Sequence, residues 1–283
     1  MNKLLRADFS RFIKSKIYWI CGVVILAISV NNAFNTVNYA NRLLYFGKAY
    51  IDRYIFELAP YTAIISAVFI TIFIGTENSD KTIRNKLIIG HSRTNIYISN
   101  LITCIAGSVM LIVMWFVGML PALFRTDGFE MGFSGVMGYF CIALGFTAVF
   151  SSIFVLVGTL APNRTVAVVI VMAIWLALMY LGGIVVSKMT NLDFEQIFVI
   201  ENGKTTIYEE AQNYLISYRM LSRIIPTGQA LLMAMVAYGN FSSAFLELGV
   251  WYNSSLLDIG FSVVITVIIS AIGIFFFRKK DLK

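Results

Sequence analysis

Six runs of eighteen or more predominantly apolar residues, at 17–34, 58–75, 98–120, 136–160, 165–186 and 256–277, set the terms for everything this chain can fold into. Each is long enough to cross a hydrocarbon layer of about 30 Å as a helix. Backbone N–H and C=O groups at that depth must pair within their own segment or around a closed barrel. The runs are too long and too uniformly apolar to alternate as barrel strands, so the expected fold is an all-α membrane protein with six transmembrane helices. Composition points the same way. With 59% apolar and 13% charged residues and a mean hydropathy of +0.80, a water-soluble core of this size could not hide 23 Phe, 14 Tyr, 12 Met and 4 Trp.

Lys and Arg divide unevenly between the two sides of such a bundle. One side holds the N-terminal segment, the loop after the second run, Arg164 and the C-terminal tail, with fourteen of the 22 basic residues and four of the 15 acidic ones. Basic loops stay in the cytoplasm, so both termini are expected there, and nucleic acid is not needed to explain the positive charge. The first run is expected to remain as a span and not to be removed as a signal peptide, since no small-x-small site follows it. Before it, Leu5, Phe9, Phe12 and Ile13 fall on one helical stripe with Arg6, Ser10, Arg11 and Lys14 off it. This pattern predicts an amphipathic elbow helix over 1–16, lying in the inner headgroup layer of the lipid bilayer.

Two of the connecting segments carry information. In the cytoplasmic loop 76–97, Asn78 or Ser79 can cap a short helix, Asp80 suits its positive end, and Gly90 can terminate it. Ile83 and Leu87 stack one turn apart, with Arg84 and Lys86 to the side. So short a helix needs a surface to lie on, either lipid headgroups or a grooved soluble partner. In the extracellular region 187–255, Asn202-Gly203 between 197–201 and 204–208 predicts a small β-hairpin. A helix over 209–223 should follow, stopping before Pro226. The apolar runs 230–238 and 241–251, too short to span, read as a re-entrant helix pair. The whole forms one domain, 1–283.

Several chemistries are excluded. Cys21, Cys104 and Cys141 lie in apolar runs without ligand or disulfide spacing, and the lone His91 has no Cys or carboxylate at ligand distance, so metal binding is not expected. Charges at mid-bilayer mark proton and ion pathways, yet the first five runs contain none, and Asp258 sits two residues inside the sixth, where a capping or headgroup-level role is expected. There is no phosphate-binding G-x-x-x-x-G-K-[ST] loop, so any ATP hydrolysis must come from a separate protein. Gly132-Phe133-Ser134-Gly135 matches the G-x-S-G of rhomboid intramembrane proteases. No histidine follows it in the chain to activate Ser134, and the glycines read better as a helix-packing face.

Taken together, the basic entry helix, six spans, cytoplasmic loop, short helices before the last span and basic tail resemble the permease subunits of ABC-2 type exporters along essentially the whole chain. The loop matches the family's coupling region at Glu77, Thr82, Ile83, Arg84, Asn85, Gly90, Ser92 and Arg93. The tail from Phe275 to Lys283 is similar as well. The chain departs from many relatives at Asn100, where they carry a lysine.

The resemblance implies two membrane subunits, homomeric or paired with a paralogous permease, on two cytoplasmic ABC ATPases that carry the ATP and Mg. A short helix over 79–89 would dock on each ATPase. Glu77, Ser79, Asp80, Thr82, Ile83, Arg84, Asn85, Leu87 and Arg93 would form the coupling set. The chain itself would hold no cofactor and catalyse nothing. Its expected location is a bacterial plasma membrane. A charge-free lining of Phe, Met, Tyr and small residues suits amphipathic or hydrophobic cargo, and among ABC-2 proteins the chain is similar to small peptide-toxin permeases, including phenol-soluble modulin exporters. Bacteriocin or drug efflux, immunity, and peptide sensing without net transport are the alternatives.

Overall fold

The computed structural model describes residues 1–43, 50–51, 55–56, 59–80, 82–129, 132–190, 198–201, 204–207, 209–237 and 255–280. In chain order the elements are α1 (Asn2–Ile13), α2 (Lys16–Leu43), α3 (Ala59–Ser79), α4 (Thr82–Ile88), α5 (Arg93–Leu123), α6 (Gly132–Leu160), α7 (Arg164–Thr190), β1 (Phe198–Glu201), β2 (Lys204–Ile207), α8 (Glu209–Ile224), α9 (Pro226–Ala237) and α10 (Ser255–Lys279). Among the described residues, six helices are long and apolar enough to cross a membrane: α2, α3, α5, α6, α7 and α10.

α6 is the hub, packing on α3, α5, α7, α9 and α10. Its sequence is apolar on every side, which fits a helix enclosed by others. Phe146, Phe150 and Phe154 are fully buried and follow one another a turn apart, with ring centroids 6.4 and 5.7 Å apart. Peripheral helices differ sharply: 61% of the most apolar stretch of α6 is buried, against 22% for α7 and 11% for α10. Leu176 and Tyr180 on α7 and Val264 and Val267 on α10 therefore stand exposed, as side chains facing lipid or another protein do.

The two ends of the bundle are built differently. One, here the near end, carries α1, α4 and the last turn of α10. There, Arg93 donates from Nη1 to the carbonyls of Phe277 (3.2 Å), Arg278 (3.1 Å) and Lys280, filling positions left open at the end of α10. Lys280 reaches back from Nζ to Thr159 O (2.7 Å), and Asn78 Nδ2 donates to Gly158 O (3.1 Å), so the end of α6 is capped from two elements. Burial holds the Lys280 ammonium below the usual lysine range. α5 and α10 meet closely here, because a Cβ at Gly273 would lie 2.0 Å from the Tyr97 hydroxyl oxygen and 2.4 Å from its Cζ. Tyr97 is fully buried and has nowhere to swing. Gly273→Ala should therefore destabilise the fold by about 1–3 kcal/mol, read as a lowered unfolding temperature in detergent, whereas Gly260→Ala, with open space around its Cβ, should leave that temperature unchanged.

At the far end, β1 and β2 pair antiparallel with Phe198 opposite Ile207; their Asn202-Gly203 connection lies outside the described residues. α8 ends before Pro226, which opens α9, a position where the missing N–H costs nothing. Of the expected re-entrant pair, the first run lies in α9 as far as Ala237, while 238 and 241–251 lie outside the described residues. Asp258 departs from the sequence reading. It is 5% exposed and accepts from Arg219 Nη2 at 2.8 Å and Arg223 Nε at 3.0 Å, both on α8, because α8 folds over the start of α10. One turn on, Ser262 donates to Gln229 Oε1 of α9 (2.8 Å), whose Nε2 donates to Arg223 O.

Candidate functional site

At the near end, four helices bring charged and polar side chains into a buried cluster. Its centre is Glu77. The apolar pattern places this residue beyond the second span, in the loop, but α3 runs on to Ser79 and holds Glu77 in its last turn, fully buried. Such a position is tolerable only with counter-charges in contact. Two arrive: Lys86 Nζ from α4 and Arg11 Nη1 from α1 (2.7 Å), both on Oε1. Oε2 accepts from Asn100 Nδ2 of α5. The Lys86 ammonium also donates to Asp8 Oδ1 of α1 at 2.7 Å, and Ser99 Oγ of α5 donates to Asp8 Oδ2 at 2.6 Å. Every carboxylate oxygen thus has a donor, and two anions meet two cations. The Arg11 guanidinium also lies 4.0 Å from the centre of the Phe73 ring, a stacking that helps a cation in a dry setting.

Local sequence explains how α4 presents Lys86. The helix is short, and Gly90, at φ +97°, ends it in a left-handed turn in which Gly90 N–H donates to Leu87 O (2.9 Å) and His91 N–H to Lys86 O (3.1 Å). Ser92 then caps α5, accepting from Asn95 N–H at 3.2 Å. Within α4, Ile83 and Lys86 are buried and Leu87 is half-buried, while Arg84, Asn85 and, beyond the helix, Ile89 are exposed. Ile88 is exposed too.

The expected coupling residues therefore separate into groups. Glu77, Ile83 and Leu87 turn inward. Ser79 and Asp80 stay exposed in the connection from α3, with Ser79 Oγ donating to Gly75 O (2.9 Å). Thr82 is half-buried, Arg84 and Asn85 face outward, and Arg93 is spent on the end of α10. On α1 the expected stripe is rotated: Leu4, Asp8 and Phe12 are buried, Leu5 and Phe9 half-buried, and Ile13 is 55% exposed. The ion pair of Asp8 and the wedging of Phe12 between Tyr18 (4.3 Å between centroids) and Phe69 (5.6 Å) set this orientation.

Sequence reasoning missed Asp8, Arg11, Lys86, Ser99 and Asn100 as members of one site. A signal for the first was present, since residues 1–51 contain a single carboxylate, Asp8, inside a helix otherwise basic. Asn100 was singled out as a departure and sits against Glu77; the cation at that place is Lys86, supplied from α4.

Mechanically, Lys86 is a fastener. It joins α4 to both α1 and α3, so α4 cannot shift without carrying them along or exposing buried charge. Along the chain, the family model described as ABC-2 family transporter protein matches residues 3–282. No curated protein matches.

Proposed function

The chain belongs to the ABC-2 family of transporter proteins, and from that premise we propose that it is the permease subunit of an ATP-driven exporter of amphipathic or hydrophobic peptides. Membership makes it a multi-pass membrane component of an ABC transporter, the transmembrane part and not the catalytic one. In this reading the near end faces the cytoplasm, as its excess of Lys and Arg favours. α1 lies along the inner headgroup layer as the elbow, ATP and Mg reside on a separate ATPase subunit, and the permease works as a dimer, homomeric or with a paralogue.

One observation carries the reading: the buried, charge-balanced cluster that fastens α4 to α1 and α3. It is what a helix needs if force arriving on its outer side is to move spans. That outer side presents Arg84, Asn85, Ile88 (75% exposed) and Ile89 (77% exposed). Two isoleucines that forgo burial beside a cation suit a partner groove with an apolar floor and acidic rim.

Cargo class is supported by two cavities without charged lining. One, of about 270 Å³, lies between α5 and α6 beneath Ile51 and Ile55, walled by Phe116, Leu123, Phe129 and Phe140. The other, of about 190 Å³, lies between α2 and α3 against Ile25, Ile28, Tyr61 and Ile65.

Ile88→Asp/Ile89→Asp should weaken copurification of the ATPase at least about thirtyfold, the scale of a lost interface anchor, with the unfolding temperature of the bundle unchanged. Inverted vesicles holding both subunits should accumulate labelled amphipathic peptide on adding ATP, and those with the double variant should not. Full uptake by the variant would overturn the docking role; failure of the wild-type pair to move any amphipathic peptide would overturn the cargo.

A further inference from the structure

α1 has a second face, and the cluster does not use it. At 100° per residue, Lys3, Arg6, Ser10 and Lys14 fall on one stripe opposite Leu4, Asp8 and Phe12. All four are exposed, as is Lys16 at the start of α2. The only carboxylate in the first 51 residues is Asp8, which is buried and paired, so nothing within this segment offsets the exposed charge. Beside the stripe stand exposed apolar groups: Ile13, Trp19 (49%) and Ile20 (62%). Trp19 Nε1 donates to Ile13 O at 2.8 Å, closing the corner between α1 and α2. The apolar face continues up α2 through Val23 and Val24. A cationic stripe bordered by Trp and Ile, continuous with an exposed aliphatic face, has the order of chemistry found at the edge of a bilayer: charge at the phosphates, indole at the glycerol level, aliphatic groups below.

We propose that anionic phospholipid headgroups bind Lys3, Arg6, Lys14 and Lys16, and that this lipid regulates coupling by holding α1 where Asp8 and Arg11 can engage Lys86 and Glu77. The inference rests on the near end being the inner face. General attraction to basic loops would give a similar charge count, but here the cations occupy the reverse side of the helix that supplies half of the buried cluster. Lipid at that surface and the position of Asp8 are therefore linked through one rigid turn. The chemistry required is a phosphodiester with net negative charge; a zwitterionic headgroup does not supply it.

The test uses the full chain with its four cations replaced, Lys3→Gln/Arg6→Gln/Lys14→Gln/Lys16→Gln, and a charge-keeping control, Lys3→Arg/Arg6→Lys/Lys14→Arg/Lys16→Arg. Purified permease, equilibrated with mixed phosphatidylglycerol and phosphatidylcholine, is weighed by native mass spectrometry. Each basic group near an anionic surface contributes about fivefold in affinity, so retention of phosphatidylglycerol should fall at least about tenfold in the glutamine variant and stay at wild-type level in the control. In nanodiscs with the ATPase, phosphatidylglycerol should raise cargo-stimulated hydrolysis for wild type and control only, and added salt should erase the difference. Equal retention of phosphatidylglycerol by wild type and glutamine variant overturns the proposal. So does a wild-type advantage that persists in pure phosphatidylcholine discs, which would assign the stripe to an acidic surface of the ATPase. Lipid retention needs no ATPase, so a protein that binds phosphatidylglycerol through these residues yet couples to no hydrolysis would sink the transport reading and the regulation that rests on it, while the lipid site itself stands.

Discussion

Lys86→Met should be the most damaging single substitution at the near end. It strips Asp8 of its ammonium and leaves Glu77 with Arg11 as its one counter-charge beside the Asn100 amide, in a place water does not reach. Breaking a buried pair from one side costs about 3–5 kcal/mol, because the abandoned charge stays buried. The expected result is a large fall in unfolding temperature for the isolated permease, along with loss of cargo-stimulated hydrolysis in the complex. Adding Asp8→Asn to Lys86→Met should restore much of the stability, since a neutral amide can keep the contact with Ser99 while Arg11 continues to serve Glu77. Coupling should stay lost, because the fastener between α4 and its neighbours is still missing. If the double variant were as unstable as the single one, the charge balance would not be what holds these helices.

Asp258→Leu should do comparable harm at the opposite end. Two arginines of α8 converge on this carboxylate, and Arg223 is 5% exposed. Burial already pulls the Arg219 guanidinium below its usual range, with the Asp258 carboxylate working against that pull. Removing the anion leaves both cations facing each other in a dry pocket, at a cost of about 3–5 kcal/mol. Limited proteolysis should register this as faster cleavage within residues 209–237, ahead of any change in the spans. Asp258→Asn, keeping shape and hydrogen-bond acceptance, should fall between. Protease resistance unchanged in both variants would mean that α8 and α9 are held by their packing on α6 and α7 without the ion pairs.

The spans were legible because lipid imposes a length and a uniformity that a single sequence displays directly: the runs at 98–120 and 136–160 lie wholly within α5 and α6. Their ends were less so, since Glu77, read as the start of a loop, is in fact a helical residue whose charge is met by groups nine and sixty-six positions away. Periodicity set Ile83 and Leu87 on one side of α4 and assigned that side to an outside surface, whereas it packs inward on the bundle. It gave Lys86 no special standing, for a lysine on a short basic helix looks solvated until its partners are known. The same blindness rotated α1: a hydrophobic stripe was sought, and the face that packs has an aspartate at its middle. Tertiary pairing of charges leaves no periodic trace, so it surfaced only as an oddity of composition, one acid among five bases.

Of the six crossing helices, α10 is fixed in an unusual way. Its first turn is pinned by Asp258 to α8, and its last carbonyls are gripped by Arg93, with about 30 Å of helix between at about 1.5 Å per residue. Over that distance it packs along α6 and, toward its foot, against α5, while its other side stays exposed. A rod anchored at both tips and seated along the hub helix cannot slide lengthwise without tearing one fixture free. In the proposed coupling, a stroke delivered at the base of α5 passes along α10 to its ion pair with α8.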